Sequence, residues 1–312
     1  MVDYSDVSVI IPCFNEEESI GEVVKKVQAI SDDFEIIVCS DGSSDRTAEV
    51  ASEAGAIVVE HTYNLGNGAS VKTGASHASR PYLLFMDGDL QHPPEDIPKL
   101  LEPLPEYDMV VGSRFNKCNT DNVRNFGNFC LIKVAEIVSG YEIGDLTSGF
   151  RAVKRSAFME FYHLYPQRYS YPTTITLSLL STGHFVMFKP IENICRRETG
   201  ASNISPFKDG MRFLQIILRV VMLFSPQKIF LPIALLLVLL GSVTSGLQLM
   251  MTGGIQSTGV IIVLAGLMLF LNGLLAEQIS QLRIGLRTRP DAIKQKVTAE
   301  KDGACPPGVK SK

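Results

Sequence analysis

The sequence predicts an α/β protein with a mostly parallel sheet covered by helices on both faces, followed by an interfacial helix and a two-helix membrane hairpin. Three observations lead there. Short runs rich in β-branched residues alternate with helix-like stretches over residues 1 to 205. Acid-rich or turn-rich segments follow three of those runs. Residues 229 to 276 carry no acidic or basic side chain at all.

The strands come first. "VSVIIP" (7 to 12), "FEIIVCS" (34 to 40), "AIVVE" (56 to 60), "YLLFMD" (82 to 87) and "DMVVGS" (108 to 113) are apolar with little polar interruption. Such runs suit a parallel sheet buried on both faces. Between them, "EEESIGEVVKKVQAI", "DRTAEVASEAG", "GNGASVKTGASHA" and "PPEDIPKLLEPL" have helical periodicity or a start signal such as Ser44 or Asp45. The alternation predicts right-handed β/α crossovers, which place every strand's carboxyl end at one edge. Ligands of open α/β sheets bind at that edge.

The hairpin comes next. "IFLPIALLLVLLGSVTSGLQLMM" (229 to 251) and a second stretch at 258 to 277 are each long enough for a hydrocarbon layer of ~30 Å. A soluble core helix would show a polar stripe, and these segments have none. Lys208, Arg212, Arg219 and Lys228 precede the first span, Arg283, Arg287, Arg289 and Lys294 follow the second, and the connector "TGGIQSTG" is uncharged. The positive-inside rule then places both ends, and the domain of residues 1 to 205, on the cytoplasmic side. Residues 206 to 226 separate polar from apolar side chains around a helix, as an interfacial helix does, although a helix packed on the soluble domain has the same pattern. Residues 281 to 312 form a basic, polar tail with the composition of a disordered segment. The small residues of "GSVTSG" (241 to 246) offer a contact for a homo-oligomer.

Composition narrows the function. A formal net charge of −4 gives no reason to expect a nucleic-acid partner. The six cysteines stand singly, without the spacing of a zinc site or a disulfide framework, which fits a reducing compartment. The N-terminus "MVDYSDVSVI" has acidic residues where a secretory signal needs basic ones.

The chemistry concentrates in "PCFNEEE", "SDGSSD" and "DGDLQH", each following a predicted strand. In the last, Asp87 and Asp89 stand on either side of Gly88. Two carboxylates brought together at neutral pH repel unless a cation or a proton compensates, and Mg²⁺ or Mn²⁺ is the simplest compensation. Gly88 lets the backbone approach a ligand, and Gln91 adds an amide oxygen. Taken alone, Asp-x-Asp is equally a solvated turn ahead of a helix at Pro93.

Together these loops resemble those of the family 2 glycosyltransferases of the GT-A fold, and more narrowly the dolichyl- or polyprenyl-phosphate mannose and glucose synthase branch. The resemblance covers residues 7 to about 203. "IIPCFNEEESI", "DGSSDRT", "MDGDLQHPPE", "GSRF" (112 to 115), "DLTSGFRAVKR" (145 to 155) and "RETGAS" (197 to 202) occur in the family's order. The resemblance implies an inverting enzyme that moves a hexose from UDP-glucose or GDP-mannose to a polyprenyl phosphate. It implies that Pro12, Phe14 and Glu16 line the nucleotide pocket and that Asp41 contacts the base or ribose. Asp87, Asp89 and Gln91 would hold Mg²⁺ or Mn²⁺ against the donor diphosphate. Arg114, Arg124, Arg196 or Arg197, with Ser202 beside them, would meet the phosphates through guanidinium contacts. Arg124 and Arg196 serve equally well in surface ion pairs. Asp145 either orients or deprotonates the acceptor or caps the turn "GDLTSGF". The chain departs from the family with Phe14 for Tyr, Leu146 for Pro and Asn203 for Lys. Lacking tryptophan, it cannot carry the Gln-x-x-Arg-Trp motif of processive synthases. A transferase with a hydroxyl acceptor and a non-catalytic membrane scaffold are the rival readings.

Overall fold

A computed structural model describes residues 2–114, 143–167, 171–191, 225–252 and 257–285, together with a few positions between them. The chain divides into two compact units, Met1–Ser225 and Pro226–Lys312.

The first unit is built on a sheet of seven strands among the described residues: β1 (Val7–Cys13), β2 (Glu35–Ser40), β3 (Ile57–Glu60), β4 (Tyr82–Phe85), β5 (Met109–Arg114), β6 (Arg151–Lys154) and β7 (Val186–Ile191), in the order β3-β2-β1-β4-β6-β5-β7. The five predicted strands are β1 to β5. All neighbours pair in parallel except β6, which runs antiparallel between β4 and β5. This insertion has a consequence for the site. Because β6 runs backwards, its first residue, Arg151, pairs with the last residue of β4, Phe85. The segment just before β6 therefore arrives at the edge where β1, β2 and β4 end.

The helices follow the apolar spacing. In α1 (Ile20–Gln28), Ile20, Val23, Val24 and Val27 share one face and are fully buried, each worth about 1.5–3 kcal/mol over exposure. Ahead of α2 (Thr47–Glu53), Asp45 accepts a hydrogen bond from Thr47 N at 3.1 Å from one place before the cap residue, Arg46. The helix α3 (Asn67–His77) lies directly on β1. A Cβ at Gly74 would come within 2.5 Å of Ile10 Cγ2, so the close approach needs glycine. A 3₁₀ turn at Pro94–Asp96 leads into α4 (Ile97–Leu101), and α5 (Arg155–Glu160) follows β6.

Helix α6 (Tyr171–Ser181) was invisible to periodicity for a physical reason. It is buried almost all round, and its threonines are satisfied internally: Thr173 Oγ1 donates to Leu146 O at 3.2 Å and Thr176 Oγ1 to Pro172 O at 2.8 Å. At the sheet's other end, β3 is not covered on both faces as expected. It is an edge strand, and Ile57 is 53% exposed.

The second unit is a hairpin of α7 (Gln227–Thr252) and α8 (Ser257–Gly285), both long and apolar enough to cross a membrane. Leu235, Leu236, Leu239, Leu271 and Leu275 point outward. The seam is made of small residues. A Cβ at Gly241 would meet Gly259 O at 2.9 Å, one at Gly259 would meet Ser245 Oγ at 2.1 Å, and one at Gly266 would meet Ala234 O at 3.0 Å. Of the small residues of 241 to 246, Gly241 and Ser245 are used inside the hairpin, where backbones must approach closely. Ser242, Val243 and Gly246 of that stretch face outward. Glu277 accepts from Gln227 N, tying α8 to the start of α7.

Candidate active site

Three loops meet at the carboxyl edge of the sheet, laced to one another through backbone groups. After β1, Asn15 adopts a left-handed backbone (φ 55°), a conformation asparagine tolerates better than most residues. Its Oδ1 accepts from Ser44 N at 2.9 Å and its own N–H donates to Ser43 Oγ at 3.1 Å. Glu16 N donates to Thr47 Oγ1 at 2.8 Å, and Glu17 N to Asp45 Oδ2 at 3.2 Å. The third loop joins through Ser19, whose hydroxyl donates to Gly88 O at 2.7 Å. Every side chain in these bonds belongs to "NEEES" or "SSDRT", so the motifs hold the loops together as much as they face a ligand.

Of the residues expected around a nucleotide, Phe14 is 47% exposed at the mouth of this edge. Pro12 is buried within β1, opposite Cys39, and Glu16 is half-buried. Asp41 is 3% exposed. Its carboxylate accepts from His61 Nδ1 at 2.7 Å, Leu65 N at 2.9 Å and Gly66 N at 2.7 Å. Burial pushes its pKa up, but these bonds outweigh it and hold the carboxyl below the ordinary aspartate range. Asp41 thus anchors the loop 61–66, a role the sequence did not reveal. His61, the link to Thr73 Oγ1 at 2.9 Å through Nε2, carried no recognisable signal.

Asp87 and Asp89 stand just past β4, both partly exposed. Asp89 Oδ1 accepts from Gln91 N at 3.1 Å, which leaves its second oxygen for other ligands. Between them, Gly88 packs inward: a Cβ there would meet Cys13 Sγ at 2.6 Å. Its missing side chain thus serves the core beneath the loop. Leu90 takes up a left-handed backbone (φ 61°), an unfavourable conformation for leucine. Among the described residues no three His, Cys, Asp or Glu side chains come together as a self-sufficient metal cluster. The donor set does fit a hard divalent ion that takes one or two carboxylates and completes its shell with phosphate oxygens and water.

The turn before β6 closes the edge. Asp145 is 9% exposed, and its Oδ1 accepts from Thr147 N at 2.8 Å, Thr147 Oγ1 at 2.9 Å and Ser148 N at 3.1 Å. These three bonds cap the turn, one of the two roles the sequence leaves open for Asp145. Beneath it, Arg151 is fully buried; its Nη1 donates to Pro172 O at 3.0 Å and Thr176 Oγ1 at 3.2 Å, and its Nη2 donates to Ser148 O. Burial lowers the guanidinium's pKa, and the nearby Tyr171 and Asp145 work against that. Arg114 is the last residue of β5, at the same sheet edge. Arg124, Arg196, Arg197 and Ser202 lie outside the described residues, as does most of the predicted interfacial helix. Cys13 and Cys39 are buried free thiols, and burial pushes the Cys39 thiol up to about 12, so both are unreactive.

Comparison with known proteins decides the family. Residues 8–161 match the model for glycosyl transferase family 2, and residues 225–282 match the GtrB C-terminal hairpin. A dolichyl-phosphate hexose transferase of Haloferax volcanii is 30% identical over 224 residues, covering 70% of this chain and 94% of the relative. The chain belongs to glycosyltransferase family 2. An undecaprenyl-phosphate 4-deoxy-4-formamido-L-arabinose transferase of Enterobacter sp. is 27% identical over 316 residues, covering 94% of each chain. In fold, the glycosyltransferase resembles the UDP complex of Mycobacterium tuberculosis glucosyl-3-phosphoglycerate synthase, with a TM-score of 0.56 and 20% identity over 69% of this chain and 79% of that one. A second structure of that synthase holds Mn²⁺ and UDP, with a TM-score of 0.55 and 18% identity over the same shares of the two chains. These likenesses establish a GT-A-like fold. With its apolar hairpin matched to a known hairpin family, the glycosyltransferase is a membrane protein.

Proposed function

We propose that the enzyme transfers a hexose from a nucleoside-diphosphate sugar to a polyprenyl phosphate at the cytoplasmic face of the membrane. The observation that carries the reading is the meeting of Asp87, Asp89 and Asp145 at one sheet edge in a chain that also holds a membrane hairpin. Relatives named for dolichyl- and undecaprenyl-phosphate transfer support the acceptor class.

In this reading the nucleotide lies over the loops after β1 and β2, with Phe14 and Glu16 beside it and Asp41 fixing the floor. Asp87 and Asp89, with Gln91, hold Mg²⁺ or Mn²⁺ against the donor diphosphate. The ion stabilises the charge that grows on that leaving group. Arg114, Arg124 and either Arg197 or its neighbour Arg196, with Ser202, supply the phosphate-binding groups. An oxygen of the lipid phosphate attacks the anomeric carbon, the bond from that carbon to the diphosphate breaks, and configuration inverts. A phosphate monoester, with a second pKa near ~6, is already largely a dianion at neutral pH. No proton need be removed from it. Asp145 then orients the acceptor and its turn. Confining enzyme and lipid to one bilayer raises their effective concentration.

The test is to incubate membranes containing the enzyme with radiolabelled UDP-glucose and GDP-mannose and extract them into organic solvent. Label in the lipid phase that depends on divalent ion supports the reading. Label recovered only in polysaccharide or protein, or full turnover in excess chelator, overturns it.

A further inference from the structure

We propose that His92 and Gly149 are positioning residues that seat the Asp87 carboxylate, so that one turn, residues 145–150, sets both the acid beside the acceptor and the acid beside the donor. The proposal rests on the reading of Asp87 as a metal-holding acid given above, and it names two residues that reading does not use.

His92 approaches Asp87 from one side. Asp87 N donates to His92 Nδ1 at 3.3 Å, and the same nitrogen lies 3.6 Å from Asp87 Oδ2. Accepting that bond requires a lone pair on Nδ1, which puts the ring proton on Nε2. The ring is 3% exposed and stacks on Phe150, with centroids 5.2 Å apart and planes at 17°. An imidazole held this way cannot swing, so it fixes the backbone from which the Asp87 side chain departs.

Gly149 closes the other side. A Cβ built there would stand 2.9 Å from Asp87 Oδ2 and 3.2 Å from Oδ1. The carboxylate therefore rests on the bare Cα of Gly149. Gly149 is not among the glycines with positive φ, so space, not backbone conformation, calls for glycine here. The obstructing atoms are the tip of a flexible side chain. The fold could accept alanine at little cost, because the carboxylate would move aside, and what suffers is its direction.

The slot is itself held rigidly. Phe150 is fully buried, Arg151 pairs with Phe85 in the ladder, and the Arg151 guanidinium grips Ser148 O, Pro172 O and Thr176 Oγ1. Two residues earlier in the same turn, Thr147 N and Ser148 N hold Asp145. A shift in this turn would move both acids together.

The experiment titrates Mn²⁺ into the detergent-solubilised full chain with UDP, and in a separate arm with GDP, reading free Mn²⁺ by electron paramagnetic resonance. Gly149→Ala is expected to weaken Mn²⁺ binding by about tenfold or more, within the ~10–100-fold range for residues supporting metal ligands. Its thermal midpoint should stay close to that of the unmodified chain. His92→Phe keeps the stack on Phe150 and removes the acceptor, and should weaken binding similarly. Adding Gly149→Ala to Asp87→Ala should cause no further loss, because the first residue acts through the second. Unchanged Mn²⁺ affinity in Gly149→Ala overturns the proposal, as does a further loss in the double variant. An unmodified chain that retains no Mn²⁺ with either nucleotide overturns the metal reading itself, and the proposal with it.

Discussion

The buried Asp41 carboxylate is shared among three donors that fix the loop 61–66. The "DGSSD" segment suggests a ligand contact, yet His61, Leu65 N and Gly66 N already use much of its carboxylate. Asp41→Asn would turn an amide N–H₂ toward at least one of these donors, and leaving a buried donor unmet costs ~1–3 kcal/mol. Because the folded carboxyl titrates below the ordinary aspartate value, its stabilisation is complete above that value and disappears as pH falls through the lower folded one. The difference in thermal midpoint between Asp41→Asn and the parent should therefore be constant from neutral pH down to about 5 and shrink below about 4, as unfolding scans would show. The other acids are separated by kinetics. Asp89→Ala should abolish ion-dependent nucleotide binding, seen by calorimetry with Mn²⁺. Asp145→Asn retains an oxygen for Thr147 and Ser148 and removes the charge. Turnover with a polyprenyl phosphate should fall by less than the ~10²–10⁴-fold typical of a missing general base. A fall of that full size would favour a hydroxyl acceptor. At this scale sequence located the acids but not their supports. Asp87 and Asp89 announce themselves as paired carboxylates, whereas His92 and Gly149 act through contacts with residues remote in the chain or through a missing atom, and neither leaves a pattern.

At the scale of elements, the parallel strands β1 to β5 were legible from their apolar runs, clearest where burial on both faces leaves them unbroken, as in β1, β2 and β4. The parallel β7, only partly buried and carrying Lys189 and Pro190, was not. Nor was the antiparallel β6. Its four residues, "RAVK", begin with a buried arginine and end with a lysine, and nothing local distinguishes them from a turn. That strand nevertheless brings the "DLTSGF" turn to Asp87, so the least legible element completes the site. In the hairpin, apolar length was legible while the direction of each small residue was not. Gly266→Leu and Gly246→Leu test the assignment as a pair. The first would drive a side chain into Ala234 O and Val238, where backbone cannot yield, while the second faces open space. Gly266→Leu should lower the thermal midpoint of the purified protein in detergent and promote aggregation; Gly246→Leu should leave both unchanged. Equal effects would return Gly246 to the role of an oligomer contact.

For the whole molecule, charge and chemistry must agree on a side of the membrane. A nucleoside-diphosphate sugar is available where nucleotides are made, so the edge bearing Asp87 and Asp89 must face the cytoplasm for the proposed reaction to run. The distribution of Lys and Arg reaches the same side independently: positive residues flank the hairpin at both ends, at Lys228 and at Arg283, Arg287 and Arg289, while the connector around Gly253 and Gly254 has none. An odd number of crossings would separate the two ends; two crossings keep them together. In a chain whose other reactive cysteines are replaced by serine, a cysteine placed at Gly254 should react with a membrane-impermeant maleimide in intact cells. The native Cys305 of the tail, kept alone, should react only after the membrane is opened. The reverse pattern would put the donor site on the side that lacks its substrate, and the proposed reaction would fail on topology alone, whatever the geometry of its acids.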